Sequence, residues 1–256
     1  MALNNGVSLP LTRGQLDIWL AEQTGRLDAK WQLGVFIHIA GPIDADLFES
    51  AIREVVREAE PLRATFFHAD EQVYQKVVDH PDVELIRYDL MGSQNPAQDA
   101  YRLASSIQRT LMPLNGPLFK FALLQTRVDE FYFFVCCHHI VVDGIGLAFV
   151  CHRIAVVYNA LAAGESIPPG FFGSLSDLID CESAYEASAE YLDDQAFWMR
   201  NLASDGEVSS RSVRDSGGRD RDETSAPIQL DPSAVAGIDE LSKALGMRRS
   251  SVITAA

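Results

Sequence analysis

The period of apolar and polar residues changes near the start of the chain. Residues 32–40 alternate with a two-residue period, which predicts a strand with one apolar side. Residues 44–59 instead repeat apolar side chains every three to four positions, as is typical of an amphipathic helix that packs one face on a core. Gly41 and Pro42 separate the two segments and favour a turn between them.

The same periods predict the other elements. Residues 131–137 are apolar on both faces and predict a central, covered strand, while 145–163 predict a buried helix closed by Gly164. The remaining predicted elements are a helix at 12–23, paired strands at 62–67 and 73–78, a strand at 83–88, a helix at 95–111, a strand at 118–127 paired with 131–138, one or two helices within 174–202, a strand at 228–230 and a helix at 232–245. This order indicates an α/β (α+β) fold, with a mixed sheet flanked by helices.

Composition divides the chain into three parts, of which residues 1–203 contain most of the predicted elements. Residues 204–226 are rich in serine, glycine, arginine and acidic residues and bury too little apolar surface to offset the entropy of ordering. We therefore expect a flexible linker or loop there. Residues 227–256 begin a further domain, and the helix that starts at Ser250 or Ser251 runs to the last residue. We expect the chain to be an incomplete fragment.

Charge and composition exclude several classes of function. The 256 residues carry a net charge of −15, so no basic surface is expected to neutralise nucleic-acid phosphates. The hydrophobic content of 47% supplies a substantial core, and we expect no stretch to approach the length of a membrane span. No signal peptide is recognisable, and the four cysteines lack metal-type spacing. These features predict a cytoplasmic protein with reduced thiols.

The strongest chemical signal is the segment from His138 to Gly144, which reads His-His-Ile-Val-Val-Asp-Gly. Successive residues at a strand end point to opposite faces, so His138 and His139 are expected to have different surroundings. Asp143 can fold back toward His139 or cap the helix that follows. Gly144 has no β-carbon, which allows close approach of backbone or ligand. The arrangement is typical of a positioned acid–base residue at a cleft.

A zinc site is the main alternative interpretation of this segment. His138, His139 and Asp143 are all possible ligands, but the histidines point in opposite directions and no third nearby histidine or cysteine completes a set, so we predict no metal site. Other residues with possible ligand contacts are assigned elsewhere: Trp19 and Trp198 to the core, and Arg248 and Arg249 to a solvated helix start rather than a phosphate site.

The His138–Gly144 segment resembles the His-His-three-residues-Asp-Gly signature of condensation domains of non-ribosomal peptide synthetases. Two weaker similarities occur in the family's order. Residues 12–19 resemble the opening motif, with Asp17 where arginine is usual, and residues 58–66 resemble the second motif without its usual histidine and threonine. A fainter match to the fourth motif lies at 191–198, and the resemblance covers most of residues 9–202.

The resemblance implies two chloramphenicol-acetyltransferase-like lobes arranged in a V, with the active site in the tunnel between them. This chain would supply the N-terminal lobe and the beginning of a truncated C-terminal lobe. The implied reaction joins a donor acyl or peptidyl thioester to the amine of an acceptor aminoacyl thioester. Both substrates would arrive on phosphopantetheine arms of peptidyl carrier proteins, with no cofactor bound by the domain itself. Adenylation and carrier domains are the implied downstream neighbours.

The resemblance also implies roles for the signature residues. His139, with Asp143 and Gly144, would form the catalytic centre, and the ordinary pKa of histidine suits a general base. However, an α-amine with a pKa of about 7.7–8.0 is already partly neutral near neutral pH. We therefore favour positioning of the nucleophile, or removal of its proton after attack. Arg63 would pair with Asp143, His138 would be structural, and Gly144 would leave room for the substrate arm.

Other functions remain open at this point. One is a stand-alone acyltransferase of the same superfamily that acts on acceptors not bound to a carrier protein. Another is a non-catalytic fragment that only binds carrier proteins. Epimerization domains share the signature, whereas heterocyclization domains usually have aspartate at the position of His138 and are disfavoured.

Overall fold

The structure, a computed structural model, describes residues 8–24, 31–70, 72–79, 81–201 and 231–255. The chain divides into two compact units, Met1–Ala203 and Ser204–Ala256.

The strands are β1 Leu9–Pro10, β2 Gln32–Ala40, β3 Ala64–Ala69, β4 Gln72–Val77, β5 Leu85–Asp89, β6 Phe119–Arg127 and β7 Glu130–His138. The helices are α1 Arg13–Thr24, α2 Ala45–Glu58, α3 Pro96–Arg109, α4 Gly144–Ala163, α5 Leu175–Glu186, α6 Ala189–Asn201, α7 Pro232–Leu245 and α8 Arg249–Ala255, with a short 3₁₀ helix at Glu60–Arg63. The predicted linker at 204–226 and the predicted strand at 228–230 lie outside the described residues.

The larger sheet of the first unit has four strands in the order β2-β7-β6-β5. Strands β2, β7 and β6 pair antiparallel, whereas β5 runs parallel to β6, so the sheet is mixed as predicted. Strand β7 lies between β2 and β6, and all of its residues except Glu130 and Tyr132 are buried. The prediction of a central, covered strand is therefore confirmed.

Helices cover both faces of this sheet. Phe48 of α2 meets Phe133 edge to face at 4.8 Å, while Phe36 of β2 stacks on Tyr132 at 4.7 Å and meets Tyr101 of α3 at 6.0 Å. Tyr132 and Phe133 are successive residues of β7 and point to opposite faces. Helices α2 and α3 consequently lie on opposite sides of the sheet, and α4 packs against α2.

A smaller sheet, in the order β1-β4-β3, fixes the position of α1. Gln75 of β4 is fully buried, and its amide forms reciprocal hydrogen bonds with the amide of Gln15 in α1, at 2.7 and 3.0 Å. The Gln75 side chain also donates to the Pro10 carbonyl at 2.9 Å. Buried amides need such partners, so this pair holds α1 in a defined orientation next to the sheet.

Helix α4 differs in part from its prediction. It is closed by Gly164 in the left-handed conformation, as expected, but Ile145 and Phe149 are 68% and 52% exposed, so the helix is not wholly buried. With 20 residues and a mean hydropathy of 1.6, it also reaches the length and composition of a membrane span, and the expectation that no stretch approaches that length is wrong. Its other face packs in the core of the first unit, as is typical of a core helix.

The outcomes for the remaining aromatic and basic residues are mixed. Trp19 packs against the core as predicted, whereas Trp198 is 59% exposed, because α6 buries none of its residues. In the second unit, α7 has the predicted bounds. Arg248 is exposed at the start of α8, and Arg249 forms an ion pair with Asp239, consistent with a solvated helix start.

A buried ion pair joins α2 to α4. The guanidinium of Arg153 donates to the two carboxylate oxygens of Glu58 at 2.8 and 2.6 Å, and also to the Pro168 carbonyl at 2.7 Å. The side chains are only 2% and 16% exposed, respectively. Such bidentate geometry compensates the desolvation of both charges, but removal of either partner leaves the other charge buried alone.

We expect Arg153→Met to lower the free energy of unfolding by about 3–5 kcal/mol, because Glu58 would lose its compensating charge. The double variant Glu58→Leu/Arg153→Met should recover most of that loss, since neither charge would remain buried. Arg57→Met is the matched control, because Arg57 is 65% exposed in its pair with Glu54, and it should change stability by less than about 0.5 kcal/mol. Urea unfolding measures all three, and equal losses for Arg57→Met and Arg153→Met would contradict the assignment.

Candidate active site

The candidate site lies in the turn that follows the central strand. Strand β7 ends at His138, and the turn continues to Asp143, the N-cap of α4. The backbone N–H of His139 donates to the Trp31 carbonyl at 2.6 Å, and that of Val141 donates to the His138 carbonyl at 3.1 Å. Because β7 is held on both sides by sheet hydrogen bonds, the turn projects from a rigid support.

The two histidines occupy opposite surroundings, as predicted from the alternation of side chains. His138 is 1% exposed, and its Nε2 lies 2.8 Å from Oε1 of Glu22. His139 is half-buried and borders a cavity of about 360 Å³. The other residues that line this cavity are Thr12, Gly14, Gln15, Ile18, Pro61, Ile140, Val141, Val142, Asp143, Leu175 and Leu178. A half-buried imidazole beside a mainly apolar cavity is suited to hold or accept a proton from a bound reactant.

Trp31 is a site residue that the sequence reasoning missed. Its ring meets the His139 imidazole edge to face, with 6.2 Å between the centroids and 78° between the planes. Its carbonyl also accepts the His139 N–H, so the same residue supports both the backbone and the ring of His139. Trp31 immediately precedes β2, and the pairing of Gln32 with His138 places it beside the turn. Only that strand register could have indicated it.

The predicted ion pair between Asp143 and Arg63 is wrong. Oδ1 of Asp143 instead accepts the backbone N–H of Gly146 at 2.6 Å, which is the capping alternative. Arg63 donates to the Val78 carbonyl at 2.9 Å. The reason is local: the first N–H groups of a helix have no partner within the helix, and an exposed carboxylate at its N-terminus satisfies one of them.

The glycines of this turn have different roles. A β-carbon at Gly144 would meet no heavy atom within 4 Å, so the space beside it is open, consistent with room for a substrate arm. A β-carbon at Gly146 would lie 2.8 Å from Cγ2 of Val142 and 3.1 Å from Oδ1 of Asp143. Gly146, which the sequence reasoning did not single out, is therefore needed for the cap to close.

The buried cysteines nearby offer no competing nucleophile. Cys136 and Cys137 are free thiols in β7. Burial raises the pKa of Cys136 to about 11 and raises the pKa of Cys137 well above its ordinary value, so both remain protonated at neutral pH. Within the described ranges, no cluster of three histidine, cysteine or acidic residues is arranged to hold a metal ion.

The sequence of this chain is similar to one family of known proteins. The family model described as Condensation domain matches residues 7–256. The dimodular nonribosomal peptide synthase of Bacillus subtilis (strain 168) is 31% identical over 205 residues, which cover 80% of this chain and 9% of the synthase. Enterobactin synthase component F of Escherichia coli O157:H7 is 31% identical over 193 residues, which cover 74% of this chain and 15% of that protein.

Solved structures give the same result. The first condensation domain of the calcium-dependent antibiotic synthetase, in complex with substrate analogue 2a, matches with a TM-score of 0.86 and 30% identity, over 97% of this chain and 59% of that chain. The starter condensation domain of rhizomide synthetase RzmA matches with a TM-score of 0.71 and 30% identity, over 77% of this chain and 48% of that chain. The chain thus spans about half of the solved domains and a small part of the synthetases. The predicted chloramphenicol-acetyltransferase-like fold is confirmed.

The cap predicts how substitutions of Asp143 behave. Asp143→Ala should lower the free energy of unfolding by about 1 kcal/mol, because it removes the acceptor for the Gly146 N–H, whereas Asp143→Asn should retain most of that stability. Combining Asp143→Ala with Arg63→Met should give additive losses, since the two side chains have different partners. Thermal or urea unfolding measures these losses of stability. Losses that are strongly non-additive would contradict this assignment and indicate that Asp143 and Arg63 form an ion pair.

Proposed function

The chain belongs to the condensation domain family, and from this premise we propose that it supplies the His139-bearing lobe of an amide-forming domain in a non-ribosomal peptide synthetase. The observation that carries the proposal is the half-buried imidazole of His139, which borders a cavity at the end of a covered strand. A histidine that only serves the core would be almost fully excluded from solvent, as His138 is.

In the proposed reaction, the acceptor's amine nitrogen attacks the carbonyl carbon of the donor thioester. A C–N bond forms, the C–S bond breaks, and the donor's phosphopantetheine sulfur leaves as a thiolate. The attacking nitrogen becomes acidic as it bonds to carbon, so its proton passes to the imidazole of His139 and then to the departing sulfur. Atoms and charges balance, and no oxidant or reductant is required.

His139 contributes chiefly by orientation and by accepting this proton. An α-amine with a pKa of about 7.7–8.0 is already partly neutral near neutral pH, so its deprotonation before attack supplies little acceleration. Holding the amine at attack distance from the thioester supplies more, because it converts an encounter between two reactants into a step within one complex. The contacts of Trp31 with the ring and backbone of His139 support such orientation.

The remaining signature residues serve the turn rather than the reacting atoms. Asp143 caps α4 and thereby fixes the end of the turn, while the open space beside Gly144 leaves a path for a phosphopantetheine arm. Arg63 supports the site indirectly, since its bond to the Val78 carbonyl holds the segment that includes Pro61, a residue of the cavity wall.

The proposed partners are donor and acceptor peptidyl carrier proteins, with adenylation and carrier domains as neighbours in the synthetase. The thioesters are substrates delivered on the carriers' phosphopantetheine arms, and the proposal requires no resident cofactor. Location in the cytoplasm follows from the same role. Since the chain covers 59% of a solved condensation domain, we expect the 256 residues alone to give little product compared with a complete domain.

We expect His139→Ala to lower kcat by at least about 100-fold, with the KM for the acceptor changed by less than about twofold. The assay uses a complete condensation domain that contains this sequence, loaded donor and acceptor carrier proteins, and mass spectrometry of the amide-linked thioester. His152→Ala is the matched control, because His152 lies exposed on α4, and it should leave both constants unchanged. Equal losses in kcat and acceptor affinity would contradict the proposed role, and amide formation that is independent of His139 would overturn the proposal.

A further inference from the structure

The histidine that faces away from the cavity has a defined protonation state. His138 Nδ1 lies 3.2 Å from the backbone nitrogen of Ile140, and its Nε2 lies 2.8 Å from Oε1 of Glu22. A backbone N–H can donate only to an unprotonated ring nitrogen, so Nδ1 is the acceptor and the ring proton is on Nε2, which donates to Glu22. Burial lowers the pKa of His138, which favours this neutral form.

Glu22 occupies a position that is unfavourable for a carboxylate. It lies in the last turn of α1, where the helix presents its partial negative charge, and this turn contains no basic residue. Its side chain is also only 15% exposed, so solvent compensates the charge incompletely. Among the residues that the structure describes, His138 offsets these costs with its hydrogen bond to Glu22.

Hydrogen bonds as well as packing hold the His138 ring. The ring borders a second cavity of about 360 Å³, which is also lined by Glu22, Gln23, Gln32, Leu111, Met112, Pro113 and Leu114. A directional contact favours one orientation of a ring beside such a cavity. The carboxylate of Glu22 provides that contact, and the fixed ring in turn holds the N–H of Ile140.

This arrangement reaches His139 through the backbone. The N–H of His139 is held by the Trp31 carbonyl, and the N–H of the next residue, Ile140, is held by the ring of His138. The α-carbon of His139 therefore lies between two anchored peptide groups. Their orientation sets the direction in which its imidazole enters the cavity.

We propose that Glu22 is a positioning residue for His139 and that it acts through the imidazole of His138. Glu22 itself borders the second cavity and is not among the residues that line the cavity of His139. The inference rests on the proposed function for the reaction that it serves. The structural linkage from Glu22 to His139 can be measured without that reaction.

The first experiment is NMR of the ¹⁵N-histidine-labelled chain, which contains six histidines. In the unsubstituted protein at neutral pH, the ring nitrogens of His138 should report a neutral ring protonated on Nε2. Glu22→Ala should abolish this single tautomer and broaden or shift the ring signals of His139, whereas Glu22→Gln should preserve both, because the amide oxygen still accepts from Nε2. Asp17→Ala, which removes an exposed acid from the same helix, is the matched control and should change neither ring.

The second experiment measures amide formation in a complete condensation domain carrying the same substitutions. Glu22→Ala should lower kcat roughly 10- to 100-fold with little change in KM, as expected for a misplaced reacting group. Glu22→Gln should retain most of the activity with an unchanged pH–rate profile, because a hydrogen bond rather than a charge does the positioning. The double variant Glu22→Ala/His138→Ala should be no slower than the slower single variant, since the two residues act as one unit.

Several results would overturn the inference. They are a His138 ring protonated on Nδ1, His139 ring signals that do not respond to Glu22→Ala, full activity of Glu22→Ala, and equal losses in Glu22→Ala and Glu22→Gln. Failure of the proposed function is separate, because then no variant and no unsubstituted domain forms the amide. In that case the ring signals of His138 and His139 still decide whether Glu22 positions His139.

Discussion

The alternation of side chains along a strand separates two chemically identical neighbours at the end of β7. His138 points into the protein and His139 points to a cavity, although only one peptide bond lies between them. The two rings keep these positions because β7 is paired on both edges and covered on both faces. The strand therefore cannot shift its register by one residue, which would exchange the surroundings of the two rings. The site therefore depends on sheet register before it depends on any side-chain contact.

Much of this could be predicted from the sequence because the governing signals are local. The apolar run at 131–137 indicated a central strand, the periodicity at 44–59 indicated α2 within a residue at each end, and Gly164 marked the end of α4. The opposite orientations of His138 and His139 follow from strand geometry alone. Capping of α4 by Asp143 was one of two local options, and the structure selects it.

The errors concern contacts between residues that are far apart in the sequence. The pairing of Asp143 with Arg63 rested on resemblance, and no local pattern could show that Arg63 reaches the Val78 carbonyl instead. Trp31 and Glu22 lie on different elements from the signature, and only the register of β2 with β7 and the placement of α1 bring them to the histidines. The composition of α4 suggested complete burial, but a helix at the edge of a core keeps one face in solvent.

The cavity wall formed by α5 depends on two acids at the end of α2 and in the 3₁₀ helix that follows. Arg153, held by Glu58, also binds the Pro168 carbonyl, and Glu60 accepts the N–H of Leu175, 115 residues further along the chain. Leu175 is the first residue of α5 and lines the cavity of His139. A chimaera that replaces α5 with the corresponding helix of a relative would therefore reproduce that relative's cavity wall only if positions 58 and 60 come from the same relative. Recombination junctions placed between these two regions would separate Glu60 from the helix whose first N–H it accepts.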